Sequence, residues 1–176
     1  MANMKDNALS VANYFIELAD RDKRPITQLG SMKRVYIAHG FSLALYGKPL
    51  LDKRFDRVEA WKYGPVIPSV YHSFKQYRAN PITEKTVIME WDNNTHVPTF
   101  TTPELTDENA KKVVEMVWRR YKDFSDPEMV ALTHRNGTPW SASYVPEQNM
   151  PIPDDITKMY YDRLVANIMQ SHKNGK

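Results

Sequence analysis

The chain contains no cysteine, which excludes disulfides, thiolate metal ligands and a cysteine nucleophile. Its six glycines are scattered singly, so neither a P-loop nor a dinucleotide-binding fingerprint is present. Among the five histidines, His39, His72, His96, His134 and His172, no pair has the i, i+4 spacing of a helical zinc site. No serine stands in a nucleophile-elbow setting. The N-terminal stretch lacks a basic segment followed by an apolar one, and no later run approaches the length of a membrane span. These absences set the expectation of a cytoplasmic, non-enzymatic protein with no metal, no cofactor and no membrane contact. A large excess of one charge is missing as well. The 24 basic and 21 acidic side chains leave +3, short of the footprint of a dedicated nucleic-acid binder, so nucleic acid is not an expected partner.

What is there suits one globular domain of 176 residues, 41% hydrophobic and 26% charged. Ala8, Val11, Ala12, Phe15, Ile16, Leu18 and Ala19 fall at helical spacing, with Ser10, Asn13, Glu17 and Asp20 opposite, predicting an amphipathic helix over about 8–21. Thr27 is placed to cap a second helix reaching Tyr46. Its core, "VYIAHGFSLALY", is apolar almost all round, which marks a central helix covered on several sides. Gly40 within it costs roughly 1 kcal/mol of helix propensity, which a close crossing would offset. A short extended piece is expected around Val58–Trp61, a helix from Pro68 to Tyr77, and a hairpin from "EKTVIMEW" and "HVPTFT". Thr106 is the expected cap of a helix bearing Ala110, Val113, Val114, Val117, Trp118 and Tyr121, and "SDPE" opens another as a capping box. A last helix is expected over about 154–171. The fold class is therefore mainly α (α+β): a single compact helical domain over 1–176 around a buried central helix, with a small antiparallel hairpin or sheet and a polar tail from about 171.

Five of the twenty aromatic residues lie between Trp61 and Tyr77, in "EAWKYGPVIPSVYHSFKQY". Val70, Tyr71, Phe74 and Tyr77 recur at three- and four-residue steps, the stripe of a short helix facing a core, so scaffold is favoured over a nucleic-acid stacking platform. The acids Asp52 and Asp56 interleave with Lys53, Arg54 and Arg57 and read as a solvated loop, whereas Glu59 enters the aromatic cluster and needs a partner for its charge. His39 reads as a hydrogen-bonded core histidine and His134 as a cap on the last carbonyls of its helix.

"MKRVYIAHGFSLALYGKPLLD" followed by "EAWKYGPVIPSVYHSF" resembles the signature of the Panacea domain family, also called SocA-like or phage-associated GepA-like proteins. The matching positions are Tyr36, Tyr46, Gly47, Pro49, Glu59, Ala60, Trp61, Tyr63, Gly64, Pro65, Val66, Pro68 and Tyr71. Downstream, "LTHRNGTPW" matches at Leu132, Thr133, His134, Pro139 and Trp140. The resemblance implies a mostly helical domain from bacteria, prophages or mobile elements. It implies an antitoxin that binds and neutralises a cognate protein toxin encoded beside it. One branch of the family delivers its toxin to a ClpXP-type protease, and a phage protein binding a host factor is a further alternative. An enzyme or small-molecule binder using His134 and Glu59 is the less favoured class. The motif residues Tyr36, Glu59, Trp61, Gly64, Pro65, Tyr71, His134 and Trp140 are taken as structural, and Tyr63, Phe74 and Tyr77, with Arg78 at the rim, as the contacts for a partner.

Overall fold

The computed structural model describes residues 6–175. Helix α1 spans Ala8–Arg21 and opens on Asn7, whose Oδ1 accepts from the N–H groups of Leu9 and Ser10 while Ser10 closes a capping box. Its apolar stripe is buried as expected, but so is Asn13 on the side expected to be polar. Asp56 is likewise buried rather than solvated: Oδ2 accepts from the backbone N–H of Ala8 and Asp52, and Oδ1 from the Ser69 hydroxyl. A carboxylate at the N-terminus of α1 satisfies a donor that the helix itself leaves orphaned.

Helix α2, Gln28–Tyr46, is capped by Thr27. It is the buried axis of the fold, in contact with α1, α4 (Glu108–Tyr121), α5 (Asp126–His134) and, most extensively, α7 (Asp154–Asn174). Strands β1 (Glu59–Trp61), β2 (Gly64–Val66) and β5 (Met150–Pro151) form an antiparallel sheet in the order β2-β1-β5, with Ala60 opposite both Pro65 and Met150. β1 is the extended piece expected around Val58–Trp61, whereas β2 and β5 are two or three residues long, contain proline and show no periodicity of their own. Helix α3, Pro68–Phe74, ends in a single 3-10 turn, Lys75–Tyr77. Strands β3 (Ile88–Trp91) and β4 (Pro98–Thr101) form the expected hairpin as a separate two-stranded sheet. Helix α6, Pro139–Ser143, completes the set.

Two boundaries differ from expectation. Asp107, not Thr106, caps α4: its Oδ1 accepts from Asn109 and Ala110 N–H at 2.8 and 2.9 Å, while Thr106 donates to Asp6. Helix α7 runs past Ser171 to Asn174, since no glycine or proline interrupts it before Gly175.

Three polar features of α2 fix its neighbours. Arg34, buried in the core, donates to the carbonyls of Gly30, Tyr121 and Phe124 and so completes the C-terminal end of α4. His39 accepts the Leu50 N–H at Nδ1 and donates through Nε2 to Asp154 at the start of α7. The bond from His39 is the main reason the Asp154 carboxylate is held below its ordinary range. Gly40 lies under the ring of Tyr161, with which a Cβ at that position would collide. This is the close crossing that the glycine suggested.

Candidate partner-binding site

The motif segments, distant in sequence, converge on the turn between β1 and β2. Trp140 on α6 donates its indole N–H to the carbonyl of Trp61 at 2.7 Å. His134 at the end of α5 donates from Nε2 to the carbonyl of Lys62 at 2.9 Å, across 72 residues of sequence. Lys33 of α2 donates from Nζ to the carbonyls of Tyr63 at 3.0 Å and Pro65 at 2.8 Å. Four carbonyls of one turn are thus held by side chains from three helices. His134 does not cap its own helix; its ring packs on Trp140 at 3.9 Å, and Trp140 stacks on Tyr144 at 4.7 Å.

Gly64 makes the arrangement possible. Its φ of +106° lies outside the range open to ordinary side chains, and a Cβ there would stand 2.7 Å from Lys33 Nζ. Lys33 is fully buried and has no carboxylate partner among its hydrogen bonds, and burial pushes its ammonium down to about 7. Lys33 was given no role from the sequence, although a signal existed. The helix neighbours at three and four residues, Leu29, Gly30, Tyr36 and Ile37, include no acid to pair with a cation on a helix whose core is apolar almost all round.

The remaining motif residues brace this turn or the helix beneath it. Glu59 finds its partner locally, accepting the Trp61 indole N–H at 2.7 Å. The Trp61 ring packs on Tyr71 at 5.3 Å, and Gln28 of α2 donates to the Tyr71 carbonyl. Tyr36 is buried with its hydroxyl 3.5 Å from that of Thr157 on α7. Replacing Trp140 with Phe keeps most of the stacking but removes the indole donor to the part-buried Trp61 carbonyl. It is expected to cost about 1–3 kcal/mol in urea unfolding, and a Trp140→Phe midpoint equal to that of the parent would show that the bond contributes nothing.

The candidate contacts are not gathered in one place. Tyr63 sits at the tip of the pinned turn, 65% exposed, with the Lys62 ammonium 5.4 Å from its ring centre. Tyr77 is half-buried and Arg78 exposed, both beyond the far end of α3, seven residues or about 10 Å from its start. Phe74 is 1% exposed and belongs to the core. Its place in the contact set is therefore corrected: the helical stripe it shares with Val70 turns inward.

Among the described residues no group of three or more His, Asp or Glu side chains is placed to hold a metal ion, and no helix is long and apolar enough to cross a membrane. The family described as antitoxin SocA-like, Panacea domain, matches residues 32–141, a span that includes Lys33, the pinned turn, His134 and Trp140. The chain belongs to the SocA-like Panacea family. It is 31% identical over 134 residues to the antitoxin SocA of Caulobacter vibrioides (strain NA1000 / CB15N), an alignment covering 76% of this chain and 68% of that protein. No solved structure matches it significantly. The Panacea signature is thus a physical unit in this chain: a helix that supplies a buried lysine, a glycine that admits it, and two rings that hold the turn from the other side.

Proposed function

We propose that this Panacea protein is a non-catalytic antitoxin that neutralises a cognate protein toxin by binding it directly in the cytoplasm. The observation that carries the reading is membership of an antitoxin family over residues 32–141. The geometry supports it. Tyr63 is offered to solvent on a turn whose carbonyls are already immobilised, so little conformational freedom is lost when a partner covers the ring. Tyr77 and Arg78 form a second, peripheral contact beyond α3.

The test is co-expression with the product of the adjacent gene. The pair should restore growth and co-elute. Tyr63→Ala should weaken the complex by about 2 kcal/mol or more while leaving the melting temperature unchanged. Unchanged affinity would reduce Tyr63 to a surface residue, whereas failure to recover any complex would remove the antitoxin reading itself.

A further inference from the structure

The β3–β4 hairpin carries an apolar face that the fold does not use. Met89 pairs with Phe100 and Trp91 with Pro98, so these side chains point to one side together with Val87, two positions before Met89. Val87, Met89, Trp91 and Phe100 are 52, 53, 62 and 70% exposed. With aromatic side chains of about 150–250 Å² each, the four offer roughly 400–500 Å², about half of what one partner contributes to a standard interface. The hairpin is not loosely hung. Buried Asn13 of α1 holds both of its roots, donating to the carbonyls of Thr86 and Pro103 and accepting the Thr86 N–H. A rigid base under an uncovered apolar face is a liability in the free chain, since both strands are edges.

The charge around this face selects its occupant. Residues 84–104 hold four acids, Glu84, Glu90, Asp92 and Glu104, against one base, Lys85. The segment is thus −3 in a chain of +3, and Lys85 is already paired with Glu17. Anionic surfaces such as nucleic acid or lipid headgroups are disfavoured. A two-fold pairing of hairpins would set −3 against −3, which disfavours a second copy of this chain across this face. Of the two edges, β4 begins with Pro98, which has no N–H to offer, whereas β3 has no proline.

We infer that the β3 edge and the Val87–Met89–Trp91–Phe100 face are the docking surface for an extended, basic segment of the protein toxin, which adds a strand to the hairpin. The inference rests on the antitoxin reading and deepens it. Backbone hydrogen bonds along β3 supply affinity, alternate apolar side chains of the incoming strand cover the face, and its basic residues meet Glu84 and Glu90.

The experiment compares the full chain with Met89→Thr/Trp91→Thr/Phe100→Thr, which keeps strand propensity, and with Glu84→Lys/Glu90→Lys, each co-expressed with the adjacent gene product. The apolar variant should melt like the parent and bind about 30-fold or more weakly. The charge-reversed variant should associate several-fold more slowly, with a flatter salt dependence. Hydrogen exchange on the parent complex should show new protection of the Val87, Met89 and Trp91 amides, which point away from β4, a readout that stands even where a variant fails to fold. If the parent binds and rescues but these amides stay unprotected, or the apolar variant binds like the parent, the hairpin inference falls and the antitoxin reading survives. If the parent neither binds nor rescues, both fall. A chain that self-associates alone and becomes monomeric in the apolar variant would overturn the choice of a different protein as occupant.

Discussion

Gly40→Val is expected to lower stability by about 3 kcal/mol, the upper end of the usual overpacking range. A Cβ at position 40 would collide with the Tyr161 ring, and that ring is itself held, edge-on to Phe41 at 5.1 Å and to Tyr36 at 6.3 Å. Tyr161 is 4% exposed, so neither it nor α7 can move aside without opening a void. Tyr161→Ala alone should cost about 3–5 kcal/mol by leaving a cavity. The double variant is the informative measurement. The valine occupies part of the space the ring vacated, so the combined loss should fall short of the sum by about 1 kcal/mol or more. Simple additivity in urea unfolding would mean that Gly40 and Tyr161 do not meet and that α2 and α7 cross elsewhere.

Lys33 should make stability depend on pH in an uncommon direction. Its ammonium is pushed from the ordinary 10.5 to about 7 by burial. Between these values the unfolded chain holds a proton that the folded chain has released, so stability rises with pH. Below pH 7 both states are charged and the folded state carries the full cost of the buried ion. The upper bound is roughly 5 kcal/mol, and the bonds to the Tyr63 and Pro65 carbonyls lower it because they favour the ammonium. Above pH 10 the trend should reverse, since burial raises the hydroxyl pKa of Tyr36 and Tyr161 and stability held by their neutral forms is then lost. The check is chemical denaturation from pH 6.5 to 9.5. The parent should gain stability over that interval and Lys33→Met should lose the slope. An equal slope in both proteins would assign it to other groups.

Much of this architecture was legible in the sequence because it rests on local physics. The stripe of α1, the uniform apolarity of α2, the capping box at Ser125 and the β-branched runs of the hairpin each involve residues within a few positions of one another. The Panacea signature was equally readable, since Glu59–Trp61, Gly64–Pro65 and His134–Trp140 are ordered along the chain, and the inward turn of Val70 and Phe74 followed from their helical spacing.

Contacts across long separations were decided only by the tertiary structure. Nothing local to Asn13 says that it will hold the roots of a hairpin more than seventy residues away, and nothing local to Asp56 says that it will face the start of α1. Phe74 and Tyr63 look alike in sequence as aromatics beside basic residues. One is buried and the other exposed because α3 turns its stripe onto the core while the β1–β2 turn points outward. The hairpin itself was visible, but its β-branched runs do not say which face is covered. That depends on whether another element packs against it, and here the fold leaves the Trp91 and Phe100 face in water. Periodicity is set by the geometry of a single element, whereas burial is set by its neighbours, and the sequence specifies neighbours only through the whole fold.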